Sequence, residues 1–295
     1  LIEHREGKKY TKQSFKTRIF PTPKLMDQLW SIILDVEQEF KPPYVAVGKK
    51  ATSEWKKVFG RLSHTHPDVV DMATINEFMA GHKWALKAPI TLKYSRDPFS
   101  AGRLITPFQN LPDRACRLRI NTLLDEKAIC EVDFNANHLR LNLAVLSGEH
   151  AGDTPYEDIA WCAGYDPNSS YARSKIKTFM TIAMGADCLH KARGAFLGEG
   201  NSVVKFNRIH EGVLKRYPNV VLFDGWGSKA QSLEGVILRK VMVEGVKLGI
   251  ASLPVHDALA VNHQHADWAQ EAMARVWSDV VGGVGTKLKV DYPTS

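Results

Sequence analysis

The sequence predicts an α+β protein in which a small antiparallel sheet carries two aspartates and amphipathic helices surround it. Three observations predict this class: an apolar, strand-forming run that ends in an acid (AICEVDFNA, 128–136), a second apolar stretch broken by His-Asp (ASLPVHDALAVNH, 251–263), and several segments with helical apolar periodicity. Of the 295 residues, 44% are hydrophobic, which supports a buried core and argues against a mainly disordered chain.

The first hundred residues give a less regular pattern. Residues 1–20 are polar and fit a strand or an arm, whereas 21–40 show a helical apolar stripe that KPPY ends. Residues 51–87 are predicted to be mainly helical, with a break near His66-Pro67. Residues 89–112 are rich in Pro, Gly and Ser, which predicts an irregular connector.

The remaining two thirds of the chain alternate clear helices with few strands. The strand that carries Asp133 is followed by a helix over 137–148, closed by Gly148 as its C′ residue. VHDALAV (255–261) predicts a β-hairpin with His-Asp at its tip, and KLKVDY (287–292) a closing strand. Further helices are predicted over 155–163, 170–187, 203–216, 230–247 and 265–281.

Charge and cysteine usage narrow the class of partner. The net charge is +7 and the pI about 9.1, a balance that favours a polyanionic partner. The four cysteines lack C-x-x-C spacing, so we expect neither zinc nor disulfides and a cytoplasmic location. No apolar run approaches the roughly 18 residues that span a bilayer, so no membrane partner is expected. The chain begins with Leu1 rather than Met, and we expect it to be part of a longer polypeptide.

Asp133 and Asp257 are the two candidate catalytic acids. A carboxylate among apolar strand residues is costly to bury unless it is paired or binds a cation. Two such carboxylates on adjacent strands can hold two Mg²⁺ ions roughly 4 Å apart. Each aspartate taken alone also fits an ordinary strand-end or turn residue. The order of the surrounding motifs is therefore needed to distinguish a catalytic acid from a structural residue.

A series of short segments stands in the order found in family A (DNA polymerase I-like) nucleic-acid polymerases. VDFNANHLR resembles motif A, RSKIK the R-x-x-x-K of motif B, and VHDALAV motif C. The collinear resemblance covers residues 102–295. Its other members are GRL (102–104), NLPDRACRLRI (110–120), YEDIA (156–160), KRYPNV (215–220), QSLEGVILRKVMVEGVKLG (231–249) and KLKVDY (287–292).

The resemblance implies a right-hand polymerase with its two aspartates on a small antiparallel palm sheet. It divides the chain into a divergent, thumb-like N-terminal region (1–100), palm with motif A (101–165), reduced fingers with motif B (166–230) and palm with motif C (231–295). It also implies that Asp133 and Asp257 hold two Mg²⁺ ions, with Mn²⁺ as an alternative. The carbonyl of Phe134 would be a third ligand.

The resemblance further assigns substrate contacts. Arg173 and Lys177 would grip a triphosphate, since two cations four residues apart share one helical face. The other residues assigned to nucleotide binding are His138 and Met184. Those assigned to the primer terminus or template are Arg103, Gln231 and His256.

Three positions depart from the family pattern. His138 stands where motif A has the Glu that excludes the ribose 2′-hydroxyl, Met184 replaces a tyrosine, and Ala258 replaces a common glutamate in motif C. MTIAMG also resembles the M-T-L-A-Y-G of single-subunit phage RNA polymerases. These departures leave the metal pair intact and leave sugar choice open.

The function that the resemblance implies is templated addition of dNTPs to a primer 3′-hydroxyl by a DNA-directed DNA polymerase. Its partners would be a DNA primer-template, or RNA, with nucleoside triphosphates and an upstream domain or replication partner. The alternatives are a primase or small RNA polymerase that uses NTPs, and a template-independent terminal transferase. An inactive nucleic-acid-binding module is an alternative of another class.

Overall fold

The protein is described here from a computed structural model, and its mixed α+β class agrees with the sequence prediction. The structure describes residues 2–5, 9–10, 13–14, 18–21, 37–48, 53, 56, 63–95, 102–113 and 116–293. Within them, no helix is both long and apolar enough to span a membrane.

Short antiparallel pairs form the N-terminal segment. β1 (Ile2–Arg5) pairs with β4 (Arg18–Pro21), and β2 (Lys9–Tyr10) pairs with β3 (Gln13–Ser14). Of the helix predicted over 21–40, residues 22–36 lie outside the described residues, and 37–40 are not helical. Of the mainly helical region predicted over 51–87, residues 51–52, 54–55 and 57–62 also lie outside them, and residues 81–87 are not helical.

A three-stranded sheet corrects the prediction that residues 89–112 are an irregular connector. β5 (Val45–Val47) pairs in parallel with β6 (Thr91–Tyr94), which pairs antiparallel with β7 (Arg103–Ile105). These strands are short, and β5 lies far upstream of its partner β6 in the sequence, so local composition conceals them. α1 (Pro67–Ala80) begins where the His-Pro break predicted, with the His66 side chain accepting a hydrogen bond from the amide of Asp68.

The central sheet is antiparallel and has five strands. The order is β10 (Ser252–Val255), β11 (Ala258–Asn262), β9 (Lys127–Phe134) and β12 (Leu288–Asp291), with the short β8 (Leu123–Leu124) also paired to β9. The strand carrying Asp133 is therefore flanked by the predicted hairpin on one side and by the predicted closing strand on the other.

Seven α-helices follow α1 in the described part of the chain, and six of them were predicted. The helix at residues 189–198 was not, and the helix predicted to start at residue 230 begins four residues earlier. They are α2 (Asn137–Ser147), α3 (Pro155–Cys162), α4 (Ser170–Gly185), α5 (Leu189–Gly198), α6 (Val203–Arg216), α7 (Trp226–Lys247) and α8 (Ala266–Val281).

The long helix α7 contacts α1, β7 and the central sheet. A Cβ atom added to Gly235 would lie 1.6 Å from the carbonyl oxygen of Gly102, so only glycine permits this close approach. One turn further on, the buried guanidinium of Arg239 lies 2.6 Å from Asp68 and 3.0 Å from Asp71 on α1. These contacts fix β7 and α1 against the helix that also borders the central sheet.

Candidate active site

Strand register brings the two predicted acids to one pocket. Asp133, near the end of β9, lies directly opposite Ala258, and Asp257 immediately precedes Ala258 in the hairpin turn. Val255 pairs with Ala258, so the turn contains two residues, and His256 adopts the left-handed φ of 57° that such a tight turn requires. Both carboxylates line a cavity of about 840 Å³.

Both acidic side chains have a raised pKa when no cation is bound, because their charged forms are disfavoured in the pocket. Burial, followed by the charges of Glu234 and Asp133, raises the pKa of Asp257 to about 7. Burial also raises the pKa of Asp133, although the charges of Lys177 and Lys289 oppose this effect. The pocket therefore contains an excess of carboxylate charge that a bound cation would neutralise.

The donor set fits a hard divalent cation. Carboxylate and carbonyl oxygens are the ligands that Mg²⁺ and Mn²⁺ prefer, and Phe134 lines the pocket beside the two acids. The described residues contain no cluster of three or more His, Cys, Asp or Glu side chains suited to a metal. Mg²⁺ normally keeps several waters and binds through one or two carboxylates plus substrate phosphates, so two acids are a sufficient protein contribution.

Helix α4 supplies cations to the same pocket. Arg173 and Lys177, four residues apart, both line it. Arg173 Nε donates to Glu157 Oε1 at 2.8 Å, and its guanidinium lies 5.6 Å from the ring centre of Tyr156. The pocket thus has acids on the sheet and cations on a helix.

The remaining nucleotide-binding predictions, His138 and Met184, also line the pocket. His138 Nε2 lies 3.1 Å from Glu234 Oε1. Burial lowers the pKa of His138, but the hydrogen bond and charge of Glu234 outweigh burial, so this pKa lies above its usual value. Met184 is buried, and its sulfur accepts a hydrogen bond from Asn142 Nδ2 at 3.8 Å.

Of the three residues predicted to contact the primer or template, one lines the pocket and two do not. His256 lines the pocket, and its backbone amide donates to Gln109 Oε1 at 3.4 Å. Arg103 on β7 lies outside the pocket lining, and its charge opposes the rise that Glu234 causes in the pKa of His138. Gln231 also lies outside the lining, on α7, three residues before Glu234 and on the same helical face.

Three residues that sequence reasoning missed belong to the site. Lys289 on β12 lies directly opposite Asp133, a position that the alternation of the predicted closing strand could have indicated. Tyr156 lines the pocket, and burial raises its pKa to about 12. The buried carboxylate of Glu234 approaches His138 from α7 and has no local sequence signal, because nothing in the helical pattern marks it as a site residue.

Arginine–carboxylate pairs build another part of the pocket wall. Arg119 forms a bidentate pair with Glu131, at 2.7 and 2.9 Å, and Glu131 precedes Asp133 by two residues on the same face of β9. Arg117 pairs with Asp291 at 2.6 and 3.0 Å. These pairs fix the segment before β8 against the central sheet.

Comparison with known proteins supports the fold. No family model matches the chain, and no curated protein matches it. Among solved structures, the chain is similar to the POL domain of Pol1 from M. smegmatis in complex with DNA primer-template and dNTP, with a TM-score of 0.50 and 14% identity. The match covers 90% of this chain but only 59% of that one. The chain therefore has a polymerase-like fold.

Proposed function

We propose that this protein is a nucleotidyltransferase that extends a primer 3′-hydroxyl with nucleoside triphosphates under the direction of a template. The observation that carries the proposal is that two carboxylates (Asp133 and Asp257) and two cations (Arg173 and Lys177) line one pocket. A metal-neutralised acid pair facing a basic helix suits a substrate with a triphosphate, and the polymerase-like fold supports the same reading.

In this proposal Asp133 and Asp257 would hold two Mg²⁺ ions, with the carbonyl of Phe134 as a further ligand. When bound, these ions would lower the pKa of the primer hydroxyl and neutralise the departing pyrophosphate. Arg173 and Lys177 would orient the triphosphate for in-line attack on its α-phosphate. Catalysis would then come mainly from positioning and from charge neutralisation in a partly enclosed pocket.

The proposed division of labour follows the right-hand arrangement of family A polymerases. Residues 101–165 and 231–295 would form the palm, residues 166–230 would form reduced fingers, and residues 1–100 would serve as a divergent thumb. Arg103, Gln231 and His256 would contact the primer terminus or template. The net charge of +7 suits a nucleic-acid partner, because its phosphodiester backbone is negatively charged.

Ribonucleotide polymerisation is the second candidate. The observation that favours it is His138, which lines the pocket in a pair with Glu234 where DNA-synthesising relatives carry the glutamate that excludes a 2′-hydroxyl. Deoxyribonucleotide use is our first expectation, and a direct comparison of dNTPs with NTPs distinguishes the two.

The test is primer extension with Mg²⁺ on templated, single-stranded and unprimed substrates, with dNTPs and NTPs in parallel. We expect the wild type to extend the templated primer and Asp257→Asn to lose several orders of magnitude in rate, because the metal pair loses a ligand. Asp153→Asn is the matched control, since that aspartate is 80% exposed and does not line the pocket. Extension without a template would identify a terminal transferase. Binding without extension would favour the inactive module.

A further inference from the structure

Glu234 is a buried carboxylate at the edge of the candidate active site that the proposed function does not use. It lies on α7, and its side chain is only 4% exposed. Burying a carboxylate is costly unless hydrogen bonds and charge compensate it. The contacts that compensate the buried charge of Glu234 therefore indicate its role.

The partners of Glu234 lie in the first turn of α2. Asn137 Nδ2 donates to Glu234 Oε1 at 3.0 Å, and His138 Nε2 lies 3.1 Å from the same oxygen. The other side of the Asn137 amide is also occupied, since Trp277 Nε1 on α8 donates to its oxygen at 3.0 Å. One carboxylate oxygen thus connects α7 to the residues that follow the Asp133 strand.

A second contact from α7 fixes the backbone of the same turn. Trp226 Nε1 donates to the carbonyl oxygen of His138 at 3.1 Å. Trp226 and Glu234 are eight residues apart, which places them about 12 Å apart along the helix axis and about 80° apart around it. His138 is consequently held by its main chain and by its ring, and the ring has little freedom to leave its position.

The fixed ring faces substrate space. His138 lines the pocket, together with Asp133 and Asp257, and its side chain is 33% exposed. A nucleotide whose phosphates lie between the acids and the α4 cations would place its sugar within reach of the walls beside the acids. A rigid ring there can select between sugars, whereas a mobile ring can move aside.

We propose that Glu234 is a positioning residue for sugar selection: by fixing His138 at the pocket edge, it determines how strictly deoxyribose and ribose are distinguished. The inference rests on the proposed function and adds a determinant to it. Glu234 acts through His138 and does not itself touch the reacting groups. Its loss therefore affects nucleotide choice and KM more than kcat.

The test compares dNTP with NTP incorporation by Glu234→Met, which keeps the side-chain volume but removes the acceptor oxygen. We expect the ratio of kcat/KM values for the two sugars to move toward unity by about tenfold, since a displaced positioning group commonly costs that much. Glu234→Gln keeps an acceptor oxygen and is expected to retain most of the discrimination. Glu244→Met on the same helix is the matched control, because Glu244 pairs with Arg275 outside the pocket.

A double variant separates positioning from general support of the fold. In a His138→Ala background, Glu234→Met is expected to change the sugar ratio no further, because the ring it held is gone. Unchanged discrimination in Glu234→Met, or an undiminished effect in the His138→Ala background, overturns this inference while the proposed function stands. If Glu234→Met does not fold, an unaltered ratio in His138→Ala overturns it equally. A wild type that incorporates neither nucleotide removes the proposed function, and this inference with it.

Discussion

Replacing Asp257 with asparagine should stabilise the metal-free protein while abolishing its activity. Asp257 has its pKa raised from 3.8 to about 7, chiefly by burial and then by Glu234 and Asp133. A carboxyl whose folded-state pKa is raised holds its proton longer in the folded state than in the unfolded one. Stability is therefore lost as pH rises from about 4 to about 7, and the full penalty is present above pH 7.

The size of the effect follows from the shift. About three pKa units at 1.36 kcal/mol each set an upper bound of about 4 kcal/mol, and we expect about 2–4 kcal/mol at pH 8 because neighbouring charges readjust. For a chain of this length that corresponds to a rise in Tm of about 4–8 °C. At pH 5 the gap should shrink to less than half, since most of the wild-type carboxyl is then protonated in the folded state.

Thermal melts in EDTA at pH 8 and pH 5 measure this gap directly, with Asp153→Asn as the exposed control. Mg²⁺ should then raise the Tm of the wild type more than that of Asp257→Asn, because ligand binding to the folded state is stabilising. An Asp257→Asn protein that melts at or below the wild type at pH 8 would refute the electrostatic reasoning. A gap that does not change with pH would do the same.

Two further predictions concern the helices beside the pocket. Lys177→Met should raise KM for the nucleotide about 10–100-fold, because one charge-assisted contact is lost. Lys175→Met, on the opposite face of α4, should leave steady-state kinetics close to wild type. Equal effects of the two substitutions would contradict the assignment of Lys177 to nucleotide binding. Gly235→Ala should destabilise the fold by about 3 kcal/mol or more in chemical denaturation, because its Cβ would collide with the Gly102 carbonyl. Gly194→Ala, with open space around it, should be neutral or stabilising. A Gly235→Ala protein as stable as the wild type would show that this helix contact can relax.

The sequence predicted the elements whose signal is local. The apolar run before Asp133 and the apolar stretches on either side of His256-Asp257 each form a strand with its own periodicity and turn, and both lie in the central sheet. The strongly periodic helices were likewise predicted to within a few residues. The motif order then led to a polymerase-like fold, which the structural comparison supports.

Non-local features escaped prediction. The strand at 91–94 pairs with the distant strand at 45–47 and with the strand at 103–105, and a composition rich in Pro, Gly and Ser conceals this pairing. Glu234 reads as one polar position in a helix, and only the packing of α7 against α2 shows that it is buried against His138. The roles of all the site residues remain predictions from the resemblance and from their geometry.

The most direct test of the central claim is single-nucleotide extension of a labelled primer with Mg²⁺ on four templates that differ in the first templating base. We expect the wild type to add the complementary nucleotide in each case. Asp133→Asn should be slower by several orders of magnitude, and Asp153→Asn should match the wild type. Extension by Asp133→Asn at the wild-type rate, or incorporation that ignores the templating base, would contradict a template-directed, two-acid nucleotidyltransferase.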